Sequence, residues 1–229
     1  MKQNLNLEEA LEEARFLLEH SRLVEAEKKT EEILIHFPEN GQALYIMAVC
    51  QRYLNRLEDA LETLRNLKKI RPGYGRAFQE EGHVCMAAGF MSQALFAYRH
   101  AVKLNNSLIA SWAGLTKIHT KQGNLDSAKI TQFEYEKLKA LPTELLSVRN
   151  MIAEGHTYNA EKLCRKFLLK NKKNVEGMRL LASLGVAADV LDDAEFLLEK
   201  ALEYEPDNTF TRHDYMVVLY RRQKYKQSL

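Results

Sequence analysis

The chain has 229 residues, of which 46% are apolar and 28% charged, and this composition excludes an intrinsically disordered protein. Ten glycines and four prolines are too few for a turn-rich all-β fold. The formal net charge of +2 predicts neither nucleic acid nor a membrane surface as a partner. No stretch approaches the roughly 18 consecutive apolar residues of a membrane-spanning helix.

The beginning of the chain is acidic, with four glutamates in its first 13 residues. It lacks the apolar core and the small-residue cleavage site of a secretory signal, so we expect a cytoplasmic protein unless a leader has been removed. The three cysteines, Cys50, Cys85 and Cys164, form no CxxC pair. Their odd number argues against a disulfide framework, and we expect buried thiols in a reducing compartment.

A small residue recurs at a nearly constant interval along the chain. The series is Ala26, Ala60, Ala94, Ala128, Ala160, Ala194 and Ser228, with intervals of 34, 34, 34, 32, 34 and 34 residues. Each of these residues lies in an amphipathic segment, and such a segment can bury its apolar face only by stacking on its neighbours. The interval therefore predicts a solenoid of helix–turn–helix units.

Other residue types recur in step with the alanines. In chain order, glycine precedes the alanine by five residues at Gly89, Gly123 and Gly155, and proline follows it by twelve at Pro38, Pro72 and Pro206. Glycine permits the left-handed turn that ends a first helix, and proline ends a second helix. The predicted units are 7–40, 41–74, 75–108, 109–140, 141–174 and 175–208, with a partial seventh at 209–229.

The period and the helix–turn–helix pattern resemble the tetratricopeptide repeat (TPR) family over almost the whole chain. The resemblance implies an all-α superhelix, a TPR solenoid of six units plus a partial seventh, which forms a single domain over residues 1–229. The fourth unit is two residues short and the fifth is the weakest match, so we expect a change in twist, or a seam between two stacks, at their junction.

The TPR resemblance also implies a concave groove lined by the first helix of each unit. Only Glu176 is acidic among the positions that it places there, so the groove is predicted to be positive. We expect it to bind a peptide or protein segment of acidic character, with Tyr45, Tyr53 and Tyr220 as anchors; the alternative is that the cations are ordinary solvated side chains. The predicted groove residues are Tyr45, Arg52, Tyr53, Arg76, His83, Lys117, Lys121, Arg149, Arg179, His213, Tyr220 and Arg221.

No catalytic or cofactor-binding pattern occurs in the sequence. The seven histidines are scattered over different units and form no HExxH pair, and neither GxxxxGK[ST], GxGxxG nor GxSxG is present. We therefore predict no catalytic residue, no cofactor and no metal. The function predicted for the chain is that of a non-catalytic protein-interaction scaffold.

The last third of the chain shows a further resemblance. The runs AEKLCRKFL (160–168), VEGMRLLASLG (175–185) and LDDAEFLLEKALEYEPDN (191–208) resemble the repeats that precede the catalytic domain in bacterial TPR–sulfotransferase fusion proteins. This resemblance implies an alternative function, the repeat arm of a larger sulfotransferase that uses the donor PAPS. The phosphosulfate loop of that family is not in this chain, so no catalytic residue is carried over.

The seventh unit contains a first helix but ends in YKQSL. A second helix would be needed to cover Tyr215, Val218 and Leu219, because solenoids normally end in a polar capping helix. We therefore expect an exposed apolar end face that favours a homodimer; the alternative is that the last first helix is itself the cap.

Overall fold

The computed structural model describes residues 6–223, which form thirteen α-helices and no strand. The helices are α1 (Leu7–Glu19), α2 (Leu23–His36), α3 (Gly41–Tyr53), α4 (Leu57–Ile70), α5 (Gly75–Ala87), α6 (Met91–Leu104), α7 (Ile109–Lys121), α8 (Leu125–Lys139), α9 (Thr143–Ala153), α10 (Thr157–Lys170), α11 (Val175–Ala187), α12 (Leu191–Tyr204) and α13 (Thr209–Arg221).

These helices confirm the predicted all-α architecture of six helix–turn–helix units and a partial seventh. Helices α1 to α12 form the six pairs, and α13 is the first helix of the seventh unit. Ser228, the small residue predicted for its second helix, lies outside the described residues. Within residues 6–223, no helix combines the length and the apolar character needed to cross a bilayer.

The alanine column marks where the two helices of a unit approach each other. Ala26, Ala60, Ala94, Ala160 and Ala194 are fully buried, and Ala128 is 8% exposed. A larger side chain at these points would hold the helices apart, because protein interiors are close-packed. The recurrence of alanine therefore follows from the packing inside each unit.

The turn inside each unit always contains one residue with a left-handed backbone. Gly89, Gly123 and Gly155 have φ values of +83°, +72° and +82°. The equivalent position holds another residue type in four turns, yet φ there is close to +60° as well. Such a residue bears a steric cost that glycine avoids, so the three glycines are the favourable version of one repeated turn. The four residues are Ser21, Asn55, Asp189 and Gln223.

The chain divides between Lys137 and Leu138 into two compact units, which we call the N-terminal block and the C-terminal block. The division falls within α8, at the end of the short fourth repeat. That the two blocks form one continuous solenoid stays a prediction.

Each block has its own apolar core. In the N-terminal block, Ile33, Leu64 and Leu115 belong to three successive clusters, and in the C-terminal block Leu145 and Leu198 belong to two more. The three cysteines are buried and free, as predicted. Burial raises the pKa of Cys50 to about 12 and that of Cys164 to about 11, so both are unreactive thiols.

The predicted apolar end face needs a correction at the level of residues. Val218 and Leu219 are buried rather than exposed, and Val218 packs against Ala182 and Leu198. Tyr215 is half-buried, and its hydroxyl donates to Glu199 at 2.8 Å. The prediction failed because α13 turns these side chains toward α11 and α12. The exposed apolar side chains of α13 are Phe210, Met216, Val217 and Tyr220.

Candidate functional site

Helices α3, α5 and α7 pack side by side in the N-terminal block and form a surface that we call the first-helix face. A cleft of about 450 Å³ opens on this face. It brings together four of the predicted groove residues from three helices. The lining residues are Arg52, Tyr53, His83, Met86, Tyr98, Ala110, Ala113, Gly114 and Lys117.

Arg52 forms one side of the cleft, and the buried carboxylate of Glu80 neutralises its charge. The Arg52 Nε donates to Glu80, whose side chain is 3% exposed. Burial raises the pKa of Glu80, although the Arg52 guanidinium opposes the rise. The same guanidinium lies 4.1 Å from the ring centroid of Tyr53, which is 60% exposed. Arg52 is thus held in place by two partners and adds little net charge to the cleft.

A neutral histidine–tyrosine pair forms part of the cleft wall. The His83 Nδ1 lies 2.7 Å from the Tyr98 hydroxyl oxygen. Burial, and secondly Arg52, lower the pKa of His83 from 6.5 to about 4, while burial raises the pKa of Tyr98. Both groups are therefore uncharged near neutral pH. The wall therefore offers a ligand the neutral ring of His83 as a hydrogen-bonding group, not a charge.

Tyr98 reaches this face from the second-helix layer because two glycines make room for it. A Cβ added to Gly82 on α5, or to Gly114 on α7, would lie 2.5 Å from the Tyr98 ring. The Gly82 contact is with the Cδ1/Cε1 edge of the ring and the Gly114 contact with the Cδ2/Cε2 edge. Tyr98 itself is 2% exposed. The two glycines thus place the phenol beside His83.

The lowered pKa of His83 predicts an acid-sensitive N-terminal block. The histidine takes up a proton near pH 6.5 when unfolded but only near pH 4 when folded. Its contribution to the free energy of unfolding is complete above pH 6.5. This contribution is lost as the pH falls toward about 4, because the unfolded state takes up the proton first. Because His83 is partly exposed, we expect the loss to be on the order of 1 to 2 kcal/mol. Urea unfolding of wild type and His83→Asn across this range measures it.

The exposed His36 in the same block provides the control. His36→Asn should keep the acid sensitivity of the wild type, whereas His83→Asn should lose most of it. Equal pH profiles for wild type and His83→Asn would contradict the assignment.

Helix α7 contributes Lys117 to the cleft lining and carries Lys121 outside that lining. Lys117 and Lys121 are exposed one turn apart, and neither side chain has a hydrogen-bond or ion-pair partner among residues 6–223. Their charge is therefore available to a ligand. Arg76 is half-buried on α5 and makes contacts of its own.

The predicted aromatic anchors differ in exposure. Tyr53 and Tyr220 are 60% and 66% exposed. Tyr45 instead packs into the core, edge-on to Tyr74 with 5.8 Å between ring centroids. Burial raises the pKa of the Tyr45 phenol. The structure thus presents Tyr53, not Tyr45, at the cleft.

The remaining predicted groove residues lie in the C-terminal block, where acids pair with most of the arginines. Glu176 accepts from Arg149 and from Arg179, each at 2.8 Å. Arg179 also donates to Asp214, at 2.8 Å from its Nε. This chain of contacts crosses α9, α11 and α13 and balances two arginines with two carboxylates.

The last three predicted residues lie on α13. Arg221 donates to the Val186 carbonyl at 3.0 Å and lies 4.0 Å from Asp189. His213 and Tyr220 are exposed. The structure therefore leaves the clearest unpaired charge of the predicted groove at Lys117 and Lys121, in the other block.

Two acids that pair with predicted groove arginines were not predicted from the sequence. Glu176 is the only acid at a predicted groove position, whereas Glu80 pairs with Arg52 and Asp214 pairs with Arg179. Each is the sixth residue of its unit, next to a groove position but not at one. The shared position of the two acids was the signal that could have found them. Among residues 6–223, no group of three or more His, Cys, Asp or Glu side chains could hold a metal ion.

Comparison with known proteins identifies the fold. No family model matches the chain, and no curated protein matches it. A Pseudomonas aeruginosa pilF structure is similar at a TM-score of 0.54 and 14% identity, over 94% of this chain and 97% of that chain. A tetratricopeptide repeat protein from Parabacteroides merdae is similar at a TM-score of 0.51 and 14% identity, over 95% of this chain and 86% of that chain. The resemblance to sulfotransferase fusions stays a prediction.

A third similar structure belongs to a larger protein. The APC/C hetero-tetramer Cut9-Hcn1 gives a TM-score of 0.54 at 13% identity, and the match covers 92% of this chain but 42% of that one. This chain therefore spans less than half the length of that relative. With the thirteen helices and the repeated left-handed turns of residues 6–223, these similarities show that the chain has the fold of tetratricopeptide repeat proteins.

Proposed function

We propose that the chain is a non-catalytic protein-interaction scaffold whose first-helix face binds a segment of another protein. The observation that carries this proposal is the cleft, in which an exposed aromatic ring, a neutral polar wall and an unpaired lysine lie together. The Cut9-Hcn1 structure, which has a similar fold, is itself a protein assembly.

The chemistry of the cleft defines the segment that fits it. Tyr53 and Met86 offer apolar contact, Lys117 offers a positive charge, and His83 offers a neutral hydrogen-bonding ring. Because Arg52 is already neutralised by Glu80, the cleft favours one carboxylate beside an apolar side chain rather than a long acidic run. Aromatic anchors beside a charged contact are typical of binding hot spots.

Charge reversal at Lys117 tests the site. We expect Lys117→Glu to weaken the binding of an acidic–aromatic peptide by about fivefold, because an attractive contact becomes repulsive. Fluorescence anisotropy with a peptide array, at low and at physiological salt, measures the change. The peptides carry one aspartate or glutamate next to one aromatic residue.

Lys103→Glu is the matched control, since Lys103 is an exposed lysine of α6 in the same block and does not line the cleft. It should bind like the wild type. Equal losses in both variants, or an affinity that does not respond to salt, would refute the cleft as the binding site.

A further inference from the structure

Helix α10 and the loop after it carry a concentration of positive charge on the outer surface of the C-terminal block. Residues 157–173 contain six cations and one acid, Glu161, although the whole chain has a net charge of only +2. Glu161 accepts from Arg165 at 2.7 Å. The six cations are all exposed, and they are Lys162, Arg165, Lys166, Lys170, Lys172 and Lys173.

Most of this charge is not compensated within the block. Lys162, Lys166, Lys170 and Lys172 have no ion-pair or hydrogen-bond partner in the part of the chain that the structure describes. Lys173 lies over the Tyr204 ring, 5.7 Å from its centroid. An uncompensated basic surface attracts anionic partners and accelerates their association.

The same surface exposes two large apolar side chains. Ala160, Cys164 and Phe167 point into the core, and the opposite side of the helix carries Tyr158 and Leu169, each 75% exposed. With 3.6 residues per turn, Tyr158 and Leu169 lie between Arg165 and Lys162 around the helix. The α10 face, defined by Tyr158, Lys162, Arg165, Lys166 and Leu169, is therefore both basic and apolar.

An apolar cleft adjoins this face. It measures about 360 Å³ and opens between α10, α11 and α12, with Arg165 and Glu161 on its α10 side. Phe196 at its edge is 58% exposed. Asp193 lines the cleft on its α12 side, so the carboxylate of a ligand would be repelled there. Its apolar lining is Leu181, Leu184, Ala188, Val190, Ala194, Phe196 and Leu197.

We propose that the α10 face and this cleft bind an acidic amphipathic segment of a partner protein. An apolar side chain of the segment enters the cleft, and its carboxylates contact Lys162 and Lys166 on the side away from Asp193. A phosphate polymer would make no use of the cleft, of Tyr158 or of Leu169. A bilayer surface cannot enter a cleft. The combination of basic and apolar features therefore favours a protein segment.

The test uses the full chain and a fluorescent helical peptide with glutamates one turn apart and a single phenylalanine. We expect Lys162→Glu/Lys166→Glu to bind this peptide about tenfold more weakly than the wild type. Lys28→Glu/Lys129→Glu is the matched control, because both lysines are exposed on second helices of the N-terminal block. This control should bind like the wild type.

Two further measurements test the apolar contact in the cleft and compare the peptide with other anionic partners. Replacing the phenylalanine of the peptide by serine, or Phe196 by alanine, should weaken binding to the wild-type surface. Equal affinities of the double variant and its control would overturn the proposal. It would also be overturned if the wild type preferred phosphatidylserine vesicles or duplex DNA and lost that binding in the Lys162/Lys166 variant.

Discussion

Replacing Gly114 by alanine is expected to lower the free energy of unfolding of the N-terminal block by about 2 kcal/mol, and Gly82→Ala by a similar amount. A helix-interior alanine normally stabilises by about 0.5–1 kcal/mol relative to glycine, so the expected sign is the reverse of helix propensity. The reversal follows from the 2.5 Å approach of either new Cβ to the Tyr98 ring.

The Tyr98 ring lies between the two glycines, because a Cβ at Gly82 and a Cβ at Gly114 would meet opposite edges of the ring. A new methyl group on α7 would drive the ring toward α5, and a new methyl group on α5 would drive it toward α7. Removing the ring should therefore relieve the strain. We expect Gly114→Ala/Tyr98→Ala to be more stable than the sum of its single changes predicts, with a coupling of about 1 kcal/mol or more.

Urea unfolding monitored by circular dichroism measures these differences. Gly73→Ala is the control, since a Cβ at Gly73 would meet no atom within 4 Å, and it should be neutral or slightly stabilising. A stabilising Gly114→Ala, or strict additivity with Tyr98→Ala, would show that the ring yields easily.

The repeat architecture could be predicted from the sequence because its determinants are local. The alanine series and the glycines at Gly89, Gly123 and Gly155 define helix pairs and turns without knowledge of distant contacts. The left-handed turns at Asn55 and Asp189 carry no such signal, and only the period points to them. The burial of Val218 also escaped prediction, since α13 carries apolar residues on more than one side and its packing decides which of them is covered.

The candidate site was only partly predictable, because its electrostatics depend on pairs of residues from neighbouring helices. Groove positions identified Arg52 and Lys117 equally, yet the structure neutralises Arg52 and leaves Lys117 unpaired among the described residues. The partner, Glu80, lies 28 residues away in sequence. Likewise, the cations of α10 are visible in the sequence, but the position of Arg165 at an apolar cleft depends on the packing of α10 against α11 and α12.

Breaking the Arg52–Glu80 pair should destabilise the N-terminal block more than either glycine replacement. Arg52→Met leaves the Glu80 carboxyl buried without its cation, and the folded variant can remove that charge by protonating it. Protonation at pH 7 of a group whose ordinary pKa is 4.5 costs about 3 kcal/mol. We therefore expect Arg52→Met to lower the free energy of unfolding by about 3 kcal/mol at neutral pH, measured by urea unfolding.

The pH dependence distinguishes this mechanism from lost packing. In the variant the folded state holds a proton on Glu80 that the unfolded state releases above pH 4.5. The stability deficit relative to the wild type should therefore shrink by about 1.4 kcal/mol for each pH unit below 7, until the pH reaches the raised pKa of Glu80 in the wild type and both folded proteins hold the proton. Arg52→Met/Glu80→Gln, which removes the charge, should recover most of the loss at neutral pH.

An exposed ion pair provides the comparison. Arg165→Met removes the partner of Glu161, whose side chain is 44% exposed, and should cost under about 1 kcal/mol with little dependence on pH. If Arg52→Met showed the same deficit at pH 5 as at pH 7, Glu80 would not be the group that responds. The cost would then lie in the packing of the arginine stem and its contact with Tyr53, and Arg52 would act on the cleft by shape rather than by holding a buried carboxylate.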